Sequence, residues 1–424
     1  MTSNKPSECF VYMALPGETD FVTAGKFVLS TDRRGIPLGR FVYGKSYLER
    51  RDAVPIDPIE LKLSTTTFET TRLSGVFGAL RDAGPDYWGR RVIEKHAGKA
   101  QLGEIDYLLE SPDDRAGALG FGLGQKPPGP RRQFNKILEL EKLQALADAL
   151  IENEIDTTDP AVAQVQDLML LGTSMGGARP KTVVEDDEGL WIAKFNRADD
   201  RWNAARVEHA MLTLARECGL SAAISRIETI AGRDVLLVKR FDRQKTNGGY
   251  LRARMISGLT ILRADETPEN RDRWSYVIMA EELRRVAADP ARDGKELFAR
   301  MCFNALISNI DDHPRNHALI AWGKDWQLSP AYDLTPSPVI PLERRDLAMA
   351  CGDHGRYANA RNILSQSARF LLKPDEASAI VDNLTAQVSA SWYDTVRACG
   401  VTDMDAEAIQ SAFVYEGFNL PLAT

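Results

Sequence analysis

Two adjacent aspartates, two histidines, an arginine and an asparagine are crowded into one short segment, SNIDDHPRNHALI, at residues 308–320. Asp311 and Asn316 have the Asp-x-x-x-x-Asn spacing of a phosphoryl-transfer loop, in which the aspartate accepts a hydroxyl proton and the asparagine binds magnesium. Asp312 does not have that spacing, so we assign the base to Asp311. Magnesium needs a second hard oxygen ligand, and Asp333 in WQLSPAYDLTPS could supply it. The alternative, a capped helix followed by a solvated polar loop, is the commoner origin of one Asp-Asn pair.

A glycine-containing segment upstream, GTSMGGARPKTVV at residues 172–184, could bind phosphates. Its glycines would let backbone N–H groups approach the phosphate oxygens closely, and Lys181 would add a positive charge. The segment is not a Walker A loop, because Ala178 and Arg179 stand where Lys and Ser or Thr are required. Considered alone, such a glycine cluster is more often an ordinary loop.

Three further positions follow the order found in kinases. Lys194 lies on a predicted strand, LWIAKFN, where a kinase lysine reaches the nucleotide phosphates, and Glu208 on the next helix could be its ion-pair partner. Phe241, in LLVKRFDR, could lie under an adenine at a hinge. Each has an ordinary structural alternative: a solvent-facing lysine, a solvated glutamate and an apolar strand. The order of glycine loop, lysine, glutamate, hinge and catalytic loop favours phosphoryl transfer over these alternatives.

Local signals predict the elements that position these residues. A helix ending near Ile307 should present residues 308–316 as a loop, since Pro314 disfavours helical geometry at His313. ARVEHAMLTLARECGL predicts a helix that ends at Gly219, with one apolar face made by Val207, Met211, Leu214, Ala215 and Cys218. The N-terminal segment FGALRDAGPDYWGRRVIEKHAG predicts a helix pair broken around Gly84-Pro85.

Length and composition are those of an ordinary globular protein with more than one packed part. The chain has 424 residues, a formal net charge of −7 and a pI near 5.5, which argues against a protein that binds nucleic acid by itself. Five cysteines are scattered without a C-x-x-C pair, so neither a disulfide framework nor a structural zinc site is indicated. We find no signal peptide and no membrane span, and we expect a cytoplasmic protein without a membrane partner.

We predict three modules and an α+β fold. Residues 1–130 read as a small α/β module that ends near the Pro- and Gly-rich QKPPGPRRQ, and residues 131–245 read as a lobe with strands, the glycine loop and Lys194. Periodic apolar positions dominate residues 246–424, so we expect an all-helical C-terminal lobe.

The chain resembles the HipA family of serine/threonine protein kinases, the toxins of HipBA toxin-antitoxin pairs. The resemblance covers nearly the whole chain and includes FGALRDAGPDYWGRRV, DDRAGALGF, SMGGARPKT, VKRFDR, NIDDHPRNH and LSPAYDL. It implies a bilobal kinase that uses ATP and Mg²⁺ and pairs with a small helix-turn-helix HipB-like antitoxin. DNA would be bound only through the antitoxin complex, and an aminoacyl-tRNA synthetase is the implied protein substrate.

The resemblance also implies roles for particular residues. Asp311 matches the catalytic aspartate, Asn316 and Asp333 match the metal ligands, and Ser174 matches the autophosphorylated serine. A phosphate on Ser174 should repel those of ATP and silence the kinase. The positions on nucleotide-binding segments are Gly176, Gly177, Ala178, Arg179, Pro180, Lys181, Lys194, Lys239, Arg240, Phe241, His313, Arg315, Asn316, Tyr332 and Asp333.

Two departures from the family pattern affect substrate choice. Residues 252–262 read RARMISGLTIL where many members have Arg-x-x-Gln-Glu-Asp, and Arg315 replaces a lysine. A kinase of a small molecule or of a non-toxin protein is therefore an alternative, as is a nucleotide-binding scaffold without turnover. A hydrolase with a metal on Asp311, His313 and His317 is a weaker one, since it gives Lys194 and the glycines no role.

Overall fold

A computed structural model of the protein describes residues 7–97, 102–130, 134–145, 179–197, 199–338 and 341–422. Its contacts divide the chain into two compact units. The first unit comprises residues 1–197, 239–256 and 320–325, and the second comprises residues 198–238, 257–319 and 326–424. The three predicted modules divide the chain by sequence and stay a prediction.

An antiparallel five-stranded sheet in the order β4-β3-β2-β1-β5 forms one part of the first unit. Its strands are β1 (Glu8–Ala14), β2 (Phe21–Thr31), β3 (Pro37–Tyr43), β4 (Phe68–Thr70) and β5 (Leu119–Gly122). Aromatic and branched residues favour such strands because they pack well on a pleated, half-buried surface. Phe27 and Phe41 are fully buried, and a short helix, α1 (Lys45–Leu48), places Tyr47 against Tyr43 with stacked rings 5.7 Å apart.

Three helices follow in the first unit: α2 (Gly78–Asp82), α3 (Tyr87–Ala97) and α4 (Glu104–Glu110). The predicted break around Gly84-Pro85 is confirmed, because α2 ends before it and α3 begins after it. Asp86 stands at the beginning of α3, where its Oδ1 accepts a hydrogen bond of 2.7 Å from the Gly89 N–H. Such a bond satisfies one of the N–H groups that the first turn of a helix leaves unpaired.

The predicted strand of Lys194 is also confirmed. Strand β7 (Lys181–Asp186) pairs in parallel with β6 (Asn135–Lys136) and in antiparallel with β8 (Gly189–Phe195). The hairpin of β11 (Arg243–Thr246) and β12 (Gly249–Arg252) belongs to the same unit.

Helices make up most of the second unit. They are α5 (Ala204–Glu217), α6 (Gly258–Leu262), α7 (Tyr276–Val286), α8 (Pro290–Leu306), α9 (Ala360–Ser365), α10 (Pro374–Ala398) and α11 (Asp403–Ile409). Side chains of Asn203, Ser275 and Asp289 cap α5, α7 and α8 by accepting backbone N–H bonds. The predicted apolar face of α5 is buried, and the helix ends as predicted before Gly219, whose φ is +82°. The antiparallel strands β9 (Ser225–Ile230) and β10 (Arg233–Lys239) follow it.

The prediction of an all-helical C-terminal lobe is wrong. Residues from 246 onward include the strands β12, β13 (Arg254–Ser257), β14 (Ala318–Ala321) and β15 (Gln327–Leu328). These strands are four residues long or shorter, and all four positions of β14 are buried. A buried apolar run of that length has no period that separates strand from helix. The α+β class itself is confirmed.

The five cysteines carry free thiols, and burial raises the pKa of Cys9 to about 12. A buried thiol with a raised pKa reacts poorly, because the thiolate is the reactive form. Across the described ranges, no helix combines the length and the apolar character needed to cross a membrane.

Candidate functional site

The segment of residues 308–317 forms a loop after α8, as predicted. The helix ends at Leu306, and Ser308 turns the chain with a φ of +51°. A single 3₁₀ turn, Pro314–Asn316, then leads into β14, and the Asn316 N–H donates to the His313 carbonyl over 2.9 Å. The loop is fixed to the start of α6 by a 2.7 Å bond from the Gly258 N–H to the His317 carbonyl.

Adjacent aspartates have opposite surroundings in this loop. Asp311 is exposed, whereas the side chain of Asp312 is buried. Its Oδ2 accepts hydrogen bonds from Asn304 Nδ2 at 2.8 Å and interacts with His317 Nε2 at 2.9 Å. Buried polar groups joined in this way fix a backbone, because an unpaired one is costly. Asp312 therefore holds the loop in place, and Asp311 is the aspartate that can reach a substrate.

The carboxyl group of Asp311 lies near a second carboxylate, that of Asp333. Desolvation by the surrounding protein raises the pKa of Asp311, and the nearby Asp333 carboxylate raises it further, while His313 and Arg271 oppose the shift. Two carboxylates close together favour binding of a proton or a cation. The Asn316 side chain belongs to the same cluster, since its Nδ2 donates to the Asp311 carbonyl over 3.3 Å.

Asp333 has a left-handed backbone, with a φ of +59°. This conformation costs about 1 kcal/mol for a residue with a Cβ, and such strain is found at functional sites. The neighbouring Tyr332 hydroxyl donates to the Arg315 carbonyl over 2.6 Å, and the Arg315 side chain pairs with Glu266. The structure thus brings Asp311, Asn316, Arg315, Tyr332 and Asp333 together in the second unit.

The donors of this cluster fit magnesium better than zinc. Carboxylate and amide oxygens of Asp333 and Asn316 are hard ligands, and magnesium typically takes one or two carboxylates plus substrate phosphates. Within the described ranges, no group of three or more His, Cys, Asp or Glu is arranged to hold a metal ion. The alternative zinc cluster would need His317, whose ring is buried against Tyr276 with its Nε2 on Asp312.

In the first unit, the two predicted lysines lie side by side. Lys181 of β7 is the direct antiparallel partner of Lys194 of β8, so both side chains leave the same face of the sheet. Lys194 is half-buried, and Lys181 is buried with its Nζ 2.7 Å from Asp86 Oδ2. The sequence identifies FGALRDAGPDYWGRRV, which contains Asp86, as a family motif. It does not predict the ion pair of Asp86 with Lys181. No local pattern links two residues that lie 95 positions apart.

In the predicted hinge, residues 239–241, the side chains of Lys239 and Arg240 are paired with acidic residues of the protein. Lys239 Nζ lies 3.3 Å from Glu188 and 5.4 Å from the centre of the Trp191 ring. The guanidinium of Arg240 is buried between Asp114 and Asp242, and its backbone N–H donates to the Leu190 carbonyl over 2.9 Å, so a nucleotide contact at this position would use the Arg240 carbonyl. Phe241 is half-buried.

The remaining predicted positions lie elsewhere. Ser174, Gly176, Gly177 and Ala178 fall outside the described residues. Arg179 and Pro180 lead into β7, and the Pro180 carbonyl accepts a 3.1 Å bond from the Phe195 N–H. Glu208 is buried in α5 of the second unit, whereas Lys194 belongs to the first, so their ion pair stays a prediction.

Comparisons with known proteins show which proteins this chain resembles. A family model described as HipA-like C-terminal domain matches residues 173–392. A protein of Sinorhizobium fredii named "Putative kinase Y4mE" is 25% identical over 336 residues, which are 74% of this chain and 75% of that protein.

A solved structure of a Shewanella oneidensis toxin-antitoxin system, HipA with HipB and operator DNA, has a similar fold. Its TM-score is 0.67 at 16% identity, covering 95% of this chain and 94% of that one. The fold likeness extends over nearly the whole chain, and the family model matches more than half of it. The chain therefore belongs to the HipA family.

Proposed function

We propose that the protein is an ATP- and Mg²⁺-dependent kinase that phosphorylates serine or threonine hydroxyls of a protein. The observation that carries the proposal is the loop of the second unit. There Asp311 is exposed, Asp333 and Asn316 lie beside it, and a buried Asp312 network fixes the backbone. Phosphoryl transfer needs positioning and electrostatic stabilisation more than covalent chemistry, and this loop offers both.

Each residue has a defined role in this proposal. Asp311 orients the acceptor hydroxyl and accepts its proton, for which a raised pKa is an advantage because a base works best when its pKa approaches the working pH. Asn316 and Asp333 would hold magnesium, which would offset negative charge on the phosphates.

Other residues are proposed to offset the charge of the phosphates and to bind the adenine. Lys181 and Lys194 offset negative charge on the phosphates, and Arg315 steadies the developing phosphoryl charge. The backbone of residues 239–241 holds the adenine, with Phe241 beside it.

The biological setting is proposed from family membership. We infer a HipB-like antitoxin partner, with DNA bound only through that complex, because the structurally similar HipA is seen with HipB and operator DNA. An aminoacyl-tRNA synthetase is the proposed substrate and Ser174 the autophosphorylated residue. Five free thiols support a reducing cytoplasm as the location.

The first experiment is incubation of purified protein, dephosphorylated beforehand, with ATP and magnesium, followed by intact-mass and peptide analysis. One added phosphoryl group on Ser174 is expected for the wild type and for Asp394→Asn, a control with the same change at an exposed site on α10. None is expected for Asp311→Asn. Nucleotide binding without any addition in the wild type would contradict autophosphorylation and favour a small-molecule kinase or a scaffold.

A further inference from the structure

The ion pair of Lys181 and Asp86 is buried on both sides. The lysine side chain is 1% exposed and the aspartate side chain 4%, and 2.7 Å separates Nζ from Oδ2. A buried ammonium is costly unless a counter-charge lies within hydrogen-bond distance, and the same holds for a carboxylate. The position of each group therefore depends on the other.

Asp86 is itself fixed by α3. One carboxylate oxygen accepts the Gly89 N–H over 2.7 Å, and the other receives Lys181. The helix is held in turn by the bidentate pair of Arg90 with Glu104, at 3.0 and 2.7 Å. The carboxylate that meets the lysine thus has little freedom to move.

The neighbouring strand explains why the counter-charge matters. Lys194 stands directly opposite Lys181 on the antiparallel ladder, and like charges at opposite positions destabilise a sheet. Asp86 offsets this repulsion on the side of Lys181. An ammonium has three N–H donors, so bonding to Asp86 is compatible with bonding to a phosphate.

We propose that Asp86 is the positioning residue that orients Lys181 toward nucleotide phosphates, an inference that rests on the proposed kinase function. Protein kinases use such a lysine–acid pair, in which the acid comes from a helix. Here the acid comes from the beginning of α3, outside the residues 173–392 that match the family model. The N-terminal segment is therefore part of the phosphate-binding machinery of the first unit.

The experiment compares Asp86→Asn and Asp86→Glu with Glu104→Gln, which weakens the anchoring of α3 without touching Lys181. For each variant we would measure thermal unfolding and the binding of a fluorescent ADP. We would also measure kcat and KM for ATP in phosphoryl transfer. We expect Asp86→Glu to remain folded, because the charge is kept. Its kcat should fall about 10- to 100-fold, since a shift of about 1 Å in a catalytic group has that effect. Asp86→Asn should bind nucleotide at least about tenfold more weakly, the factor that corresponds to 1.4 kcal/mol.

A double-mutant cycle with Lys181→Met separates positioning from general stabilisation. If Asp86 acts through Lys181, Asp86→Asn should have little further effect on nucleotide binding once the lysine is gone. A folded Asp86→Glu with the kcat and KM of the wild type would overturn the inference. So would equal losses of nucleotide binding in Asp86→Asn and Glu104→Gln. Absence of nucleotide binding by the wild type would instead overturn the proposed function, and the inference with it.

Discussion

The two aspartates at 311 and 312 differ in what each does for the molecule. Asp311→Asn should lower phosphoryl transfer by roughly 10²–10⁴-fold, the usual contribution of a general base. Its melting temperature should stay at or above that of the wild type, because the change removes a partly desolvated charge that Asp333 also repels. Radiolabelled transfer and differential scanning calorimetry measure the two effects, and a destabilised Asp311→Asn would contradict this division of roles.

Asp312 is predicted to behave in the opposite way. Asp312→Ala leaves the His317 Nε2 and one bond of the Asn304 amide without a partner in a buried place. Each unsatisfied buried group costs about 1–3 kcal/mol, so urea denaturation should show a loss of roughly 2–4 kcal/mol. A loss below 1 kcal/mol, comparable to that of the exposed control Asp394→Asn, would exclude the structural role of Asp312.

Asp57 in the first unit gives a pH dependence with a defined sign. Burial raises the pKa of Asp57 to about 6, even though Oδ1 accepts N–H bonds from Ile59 and Glu60 at 2.7 and 2.6 Å. In the folded protein the proton is kept up to about pH 6, whereas the unfolded chain releases it near pH 4. Stability from this residue is therefore full below about pH 4 and is lost as the pH rises to 6.

Two pKa units correspond to about 3 kcal/mol, so the free energy of unfolding should fall by about that amount across the window. Asp57→Asn should remove this part of the pH dependence, because the amide keeps an oxygen for the N–H donors and carries no charge. Urea denaturation at several pH values between 4 and 7 checks it. If the free energy of unfolding changed with pH as steeply in Asp57→Asn as in Asp394→Asn, Asp57 would not titrate in this range.

At the scale of elements, the start of α6 fits closely against the loop of residues 308–317. A Cβ on Gly258 would lie 2.4 Å from the Pro314 carbonyl oxygen, which is closer than real contacts allow. Gly258→Ala should therefore displace the turn that carries Asn316, and phosphoryl transfer should fall at least about tenfold, since small displacements at a reacting centre are costly. Gly323→Ala is the matched control, because nothing lies within 4 Å of its Cβ. Equal activity of the two variants would show that the loop adapts.

Elements that carry a long periodic pattern were predictable from the sequence, and short ones were not. The face of α5 repeats over about three turns, and the loop after α8 is marked by Asp, Asn and Pro, so both were assigned correctly. Strands β13 to β15 are too short to show a period, which is why the all-helical lobe was wrong. The residues proposed for catalysis, Asp311 and Asn316, were chosen by their spacing alone, and the structure places them in one loop. Asp86 could not be connected to Lys181, because their contact depends on how distant segments pack.

At the scale of the whole molecule, a buried ionic network joins parts of the first unit that are far apart in sequence. Asp242 accepts bonds from Arg240 at 2.9 Å, from Arg243 at 2.8 Å and from the Gly117 N–H at 2.9 Å. Burial alone would raise the pKa of Asp242, but Arg240 and Arg243 outweigh it and lower the pKa. The network therefore stabilises the unit at neutral pH and loses that contribution only in strong acid.

Removing Asp242 from this network should leave buried positive charges with less counter-charge. Asp242→Ala leaves two buried guanidinium groups with less compensation, and breaking a buried pair costs about 3–5 kcal/mol. Asp52→Ala, which removes an exposed partner of Arg50, should lower the free energy of unfolding far less, because water screens that ion pair. Chemical denaturation of both variants checks the contrast, and similar losses would mean that water compensates the buried arginines.

The interrupted first unit also has a consequence for synthesis on the ribosome. Residues 1–197 emerge before residues 239–256, which belong to the same unit. At the usual rate of translation, the interval lasts on the order of several seconds. During it, Asp114 and Arg115 are already in the nascent chain but lack Arg240 and Asp242 to complete the network around them. A pulse of protease applied to stalled nascent chains should therefore cut the N-terminal segment readily until about residue 256 has left the tunnel, and poorly afterwards.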